Sequence, residues 1–242
     1  MPWDMVREKY KIIRVFESHD GYTCAQAVDI TERERPTRLL NLYEPPWTTQ
    51  YARIFSQIQH CPALCEVFPE QGCLIAAFEP CGGIALDRIQ TQNFAWSWQD
   101  RLCLVESLLH QALTLSDLPY AVSCAALQPD NVRIWPEEKR VGVCSRLRPM
   151  PDGSAQELTR LTVHLVQTFL PSRFAQGDAE YIFCRSLTRN DFASIVPLYA
   201  CWHRARADMQ AEYEELDRQN ALKQWLVCLY KQTKRWLGQK RR

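Results

Sequence analysis

The chain divides by its hydrophobic rhythm into two halves with different periods. Up to about residue 80, apolar and β-branched residues come in short runs separated by turn-forming or charged segments. YKIIRVFE (10–17) reads as a strand, SHDGYT (18–23) as a turn and CAQAVDIT (24–31) as a second strand. The charged turn ERERPT (32–37) leads into RLLNLYE (38–44), a third strand ended by Pro45 and Pro46. Thr48 or Thr49 is placed to cap a helix running to about Gln59, with Tyr51, Ile54, Phe55 and Ile58 on one face. CEVFPE (65–70) and GCLIAAFE (72–79) read as two further strands around a Gln-Gly turn. The predicted order is β-β-β-α-β-β.

After Cys81-Gly82-Gly83 the period changes to that of helices. SWQDRLCLVESLLHQALTLSD (97–117) repeats apolar residues at Leu102, Val105, Leu108, Leu109 and Leu113, the stripe of a core-facing helix. KRVGVCSRL (139–147) is a β-like interruption. ELTRLTVHLVQTFL (157–170) is a second helical pattern, stopped by Pro171, and DFASIVPLYACWHRAR (191–206) a third, kinked or divided at Pro197. From Asp208 to Arg242 a charge-rich helical tail is expected.

Composition narrows the class. With 242 residues, 46% hydrophobic and 24% charged, the chain has the balance of a soluble globular protein with a large core. A formal net charge of +1 gives no global electrostatic case for nucleic acid, and none is expected as a partner. The N-terminus MPWDMVREKYKIIRVFE lacks the apolar run and small-residue cleavage site of a signal peptide. No run approaches the ~18 apolar residues of a spanning helix. The 11 cysteines are scattered; Cys61 and Cys65, beside His60, are the closest pair, and no second pair completes a zinc set. They read as small buried hydrophobes in a reducing cytoplasm, with no metal expected.

A β lobe with one helix, a linking segment and a helical lobe resembles the protein kinase-like superfamily, in a degenerate bacterial-type pseudokinase form. The landmarks fall in order: HCPALCEVF (60–68) is similar to the step between the family's N-lobe helix and fourth strand, FEPCGG (78–83) to the hinge, and LQPDNVRIW (127–135) to the second half of the catalytic loop. KRVGVCSRL sits where the strand entering D-F-G belongs, and ELTRLTVHLVQTFL resembles the helix anchoring the C-lobe. The resemblance covers roughly residues 8–205. It implies an α+β, bilobal protein kinase-like fold, with an antiparallel β N-lobe carrying one helix and a mainly helical, abbreviated C-lobe. The units are then 8–80 for the N-lobe, 81–206 for the C-lobe and 207–242 for a basic amphipathic C-terminal helix.

The same resemblance implies an emptied site. Of the glycine-rich loop only Gly21 remains, crowded by Glu17, His19 and Asp20. Asn41 stands at the phosphate-binding lysine, and its acidic partner, expected near Tyr51 or Ala52, is missing from the whole interval between Glu44 and Glu66. Cys124-Ala125-Ala126 replaces H-R-D, so Ala126 stands where the general base belongs, a group typically worth ~10²–10⁴ in rate. Asn131, a metal ligand in active kinases, is kept, although an Asx-type turn before a strand uses the same residue. Cys144 falls at the metal-binding aspartate of D-F-G, where a thiol suits magnesium poorly, and Arg146 follows it. No catalytic residue and no cofactor are therefore expected.

Other chemistries fare worse. No G-x-S-x-G elbow accompanies His60, His110, His164 or His203, and no G-x-G-x-x-G occurs. Trp96, Trp98, Trp135 and Trp202 read as core or interface fillers. The tail carries no acid after Asp217, and Leu222, Trp225, Leu226, Leu229, Trp236 and Leu237 share a helix face. With Lys234, Arg235 and Arg241 among its basic residues, Trp225, Leu229 and Trp236 outline a surface for an anionic membrane or a partner. The expected function is a pseudokinase acting as a binding, scaffold or regulatory module with a protein partner, cytoplasmic and placed at the inner face of a membrane. An atypical ATP-dependent Ser/Thr protein kinase and a membrane-docked structural subunit of a secretion-type assembly are the alternatives.

Overall fold

The computed structural model describes residues 5–19, 21–91, 96–172, 175, 177–219, 230, 231 and 233. Strands β1 (Met5–Val6), β2 (Tyr10–His19), β3 (Tyr22–Asp29), β4 (Thr37–Tyr43), β5 (Leu64–Glu70) and β6 (Cys73–Phe78) form one antiparallel sheet in the order β1-β2-β3-β4-β6-β5. Alternation along β4 sends Leu39, Asn41 and Tyr43 to one face and Leu40 and Leu42 to the other. The first set joins the main core with Tyr51, Ile54 and Phe55 of α1 (Trp47–Ser56). The second meets Val6, Tyr10, Phe68 and Ile75 in a small separate core. One strand therefore ties together both sides of the lobe.

The order β-β-β-α-β-β holds, with β1 added and several boundaries moved: β2 runs on to His19 and β3 starts at Tyr22, so the turn expected over 18–23 is narrower, and α1 ends at Ser56 instead of about Gln59. β3 ends at Asp29, two residues early, because the Asp29 carboxylate accepts from the Thr31 hydroxyl (2.6 Å) and N–H (2.9 Å) and closes a turn there. α1 starts at Trp47 with Pro46 as N-cap. The Thr48 hydroxyl, expected as a cap, instead donates to the Tyr43 carbonyl at 3.0 Å.

The second lobe holds α2 (Leu86–Thr91), α3 (Trp98–Leu115), α4 (Tyr120–Ala126), α5 (Ala155–Phe169), α6 (Asp178–Arg189) and α7 (Ile195–Asp217). A small antiparallel sheet, β7 (Ile84–Ala85), β8 (Val132–Trp135) and β9 (Arg140–Val143), lies where the lobes meet. Ser97 caps α3 by accepting from the Asp100 N–H, and Asp100 accepts from the Ser97 N–H in return. Leu102, Val105, Leu108 and Leu109 are buried as the stripe predicts. The β-like segment 139–147 is strand only over Arg140–Val143; the rest is extended chain with a role described below.

Pro197 neither kinks nor divides α7. It is the third residue of the helix, where backbone N–H groups have no intrahelical acceptor, so nothing is lost by its missing one. The two helices read on either side of residue 206 are one helix through Asp217. α6 had no counterpart in the sequence pattern. Its buried stripe starts on a carboxylate, Glu180, before Phe183, Cys184 and Leu187, which hides the apolar period.

Candidate functional site: the seam between the lobes

Asn41 is fully buried on β4, and three of the four hydrogen-bonding positions of its amide are taken. Its Oδ1 accepts from the Tyr22 hydroxyl at 2.6 Å and from the Leu147 N–H at 2.9 Å, and its Nδ2 donates to the Ser145 carbonyl at 2.9 Å. Two neighbours grip the same stretch of backbone. The Tyr43 hydroxyl donates to the Leu147 carbonyl (2.9 Å), and the Tyr51 hydroxyl accepts from the Met150 N–H (3.0 Å). Tyr43 and Tyr51 stack with ring centroids 4.2 Å apart, and burial holds both phenols above their usual range. Residues 144–150 thus form a strap from the helical lobe, bonded to β4 and α1. The positions where the resemblance implied a lysine–glutamate ion pair, Asn41 and Tyr51, instead carry neutral groups bonded to backbone.

Charge returns at the rim. Arg148 Nε donates to Glu17 Oε2 on β2 at 2.6 Å, and Arg148 Nη2 pairs with Asp130 Oδ2 at 2.8 Å. One guanidinium therefore joins the β lobe to the turn before β8 across the mouth of the seam. Beside it, the Arg146 guanidinium lies 4.2 Å from the Phe16 ring centroid.

Cys124, Ala125 and Ala126 form the last turn of α4 and are buried. The stretch read as a loop is thus divided into helix end, turn and strand. Asn131 is 2% exposed, and its Nδ2 donates to the Ala125 carbonyl (2.8 Å) and the Arg146 carbonyl (2.7 Å). Its Oδ1 has no protein partner. The Cys144 N–H donates to the Asn131 carbonyl at 2.8 Å, so Asn131 and Cys144 do meet. Gly21 adopts φ +76°, the left-handed region that favours glycine. A Cβ there would stand 2.9 Å from Trp47 Cδ1, so this turn closes down on an indole.

The residues do not fit a magnesium-bound triphosphate. Magnesium takes oxygen ligands in octahedral geometry, and the D-F-G position offers the buried Cys144 thiol with Arg146 close behind. Arg148 holds Asp130 and one oxygen of Glu17, whose Oε1 is buried without a partner among the described residues. Among the described residues no group of three His, Cys, Asp or Glu side chains is arranged to hold a metal. Burial pushes the Cys24 thiol up to about 12 and the Cys81 thiol, in the segment joining the lobes, up to about 11, so both stay neutral. All ten described cysteines are free.

The tail residues Trp225, Leu229, Lys234, Arg235, Trp236 and Arg241 lie outside the described residues. Of the nearby positions, Tyr230, Lys231 and Thr233 are helical, and Lys231 Nζ pairs with Asp178 at the start of α6 (3.1 Å). Among the described residues no helix is long and apolar enough to cross a membrane.

A β lobe with one helix, a short joining segment, a β8–β9 hairpin and a helical lobe around α3 and α5 define a bilobal α+β protein kinase-like fold. Solved structures agree. The kinase domain of PknI from Mycobacterium tuberculosis, in a double-mutant form, superposes with a TM-score of 0.54 at 13% identity, over 82% of this chain and 96% of that one. A Rad53 fragment in complex with AMP-PNP superposes with a TM-score of 0.50, also at 13% identity, over 74% of this chain. This chain spans 60% of that fragment's length. At such identity the likeness is one of fold. No model of a known protein family matches the sequence, and no curated protein matches it.

Tyr22, Tyr43 and Arg148 belong to this seam and carry no motif. For Tyr43 the one available signal is its spacing two residues after Asn41, which puts both on the same face of β4.

Proposed function

We propose that this chain is a kinase-like binding or scaffold module that holds its lobes together and does not transfer phosphate. The observation that carries the reading is the Asn41 amide, whose oxygen takes Tyr22 and Leu147 and whose nitrogen is tied to Ser145, so a neutral group bonded into the protein stands where a phosphate-binding cation would. A triphosphate needs fixed positive charge where it lies; β4 offers the neutral Asn41, Arg148 is paired with two carboxylates, and Arg146 lies over Phe16 with its Nε unbonded among the described residues. The strap is itself a bond set joining the lobes.

Thermal unfolding with and without MgATP or Mg–AMP-PNP tests this. A ligand at 100 times its dissociation constant would stabilise the fold by about 2.7 kcal/mol; the expected shift is nil. A metal-dependent rise in Tm together with labelling of a protein substrate from γ-labelled ATP would establish the atypical kinase instead. Membrane proximity is part of the same proposal. It rests on the basic, Trp-bearing tail sequence and is tested by co-sedimentation with anionic vesicles, expected to be lost on deleting residues 221–242.

A further inference from the structure

A groove of about 280 Å³ runs between α5 and the C-terminal end of α6, on the helical lobe and away from the seam. Its composition is layered. Val163, Leu187 and Phe192 contribute the apolar part, with Leu187 buried and the other two half-buried. Arg160, His164 and Arg189 stand exposed around them. Arg160, Val163 and His164 follow the i, i+3, i+4 spacing of one helix face, so α5 presents a cation, an apolar contact and an imidazole side by side.

Among the described residues neither Arg160 nor Arg189 forms an ion pair. That sets them apart from the arginines elsewhere on the surface that do, such as Arg38 with Glu32, Arg140 with Glu138 and Arg206 with Glu106. The one acid lining the groove, Asp191, accepts from Gln156 Nε2 at 2.7 Å. Arg189 lies in the last turn of α6, where its charge also offsets the negative end of the helix. Arg160, across the groove on α5, has no such duty. The groove therefore sets two arginines without ion pairs among the described residues against one carboxylate, around a site wide enough for one apolar side chain.

We infer that this groove docks an acidic segment of a partner protein, a short stretch with a Leu or Phe anchor flanked by Asp and Glu. The anchor enters between Val163, Leu187 and Phe192, and the flanking carboxylates meet Arg160 and Arg189. The inference gives the binding-module reading a partner class and rests on it. It leaves the seam untouched, so nucleotide stabilisation and groove binding succeed or fail independently.

The test uses the full chain and two fluorescein-labelled octapeptides, one with a central Leu-Phe pair flanked by Asp and Glu and one with Lys in place of every acid. The acidic peptide is expected to bind by fluorescence anisotropy, more weakly at higher salt. Arg160→Glu with Arg189→Glu is expected to weaken it by about tenfold and to gain binding of the basic peptide. Both positions are exposed, so the variant is expected to lose no more than a few degrees of Tm, from the reversed charge at the end of α6, and a cooperative melt confirms that folding is intact. Val163→Asn, which fouls the apolar part without adding a charge beside Arg160, is expected to abolish binding of the acidic peptide. Failure of the native protein to bind the acidic peptide, or equal binding by the charge-reversed variant, overturns the proposal.

Discussion

The seam and the junction of α3, α6 and α7 solve the same problem with opposite materials. Each must join distant parts of the chain through polar groups away from water. Inside the seam the joints are neutral: an amide and two phenols bonded to the backbone of 145–150. At the junction they are charged. Glu180, buried completely, takes Arg101 at 2.9 Å and the Tyr213 hydroxyl, and Glu106 takes the Tyr199 hydroxyl (3.1 Å), the Trp202 indole N–H and Arg206 (3.1 Å). The chain thus keeps a fully buried carboxylate where it serves packing and has a neutral amide on β4 at the position of the phosphate-binding lysine. Neutral joints cost less to bury than charged ones.

Three substitutions probe that contrast, beginning with the largest effect. Glu180→Ala strands the Arg101 guanidinium, 14% exposed, without its carboxylate and is expected to cost about 3–5 kcal/mol in urea unfolding. Asn41→Leu keeps the volume but leaves the Leu147 N–H and Ser145 carbonyl unmet; the expected loss is about 2–3 kcal/mol, with faster hydrogen exchange over 145–150. Were Asn41→Leu to cost more than Glu180→Ala, the ranking of charged above neutral joints would be wrong. Arg148→Gln is expected to change stability by about 1 kcal/mol or less, since that side chain is 46% exposed and its pairs are screened. Its signature is local: faster exchange around residues 17–22 and 128–131 with the rest unmoved. A global loss of protection would make Arg148 part of the core rather than a clasp at the rim.

The order of elements was legible from hydrophobic period and turn residues, because both lobes are built from strongly patterned segments. α3 was legible down to its stripe, since its cap and apolar repeat agree. α4 was not: Tyr120–Ala126 is short and rich in alanine, cysteine and serine, without an apolar period to mark it, and loop expectations from 124 onwards came from the resemblance. For the site, the sequence could say what was missing at 41, 126 and 144, since absence of charge is visible in the letters. It could not say what Asn41 does, because two of its three partners are backbone groups of residues 145 and 147. Backbone carries no identity in a sequence, and a bond across 104 positions leaves no local trace. The terminal helix face lies beyond the described residues, so the packing of Trp225 or Trp236 enters neither side of this comparison.

The strap has a consequence for how the protein is made. On the ribosome Asn41 emerges 104 residues ahead of Ser145, and Tyr43 is as far ahead of Leu147. At about 5–20 residues per second that is an interval on the order of 5–20 s. Throughout it the β lobe can form its ladders but not its last polar contacts, so its cleft-side tyrosines and amide face water or whatever holds nascent chains. Synthesis of the strap ends that wait, which makes the arrival of residues 145–150 the step that commits the first half of the chain to its final partner, the second half.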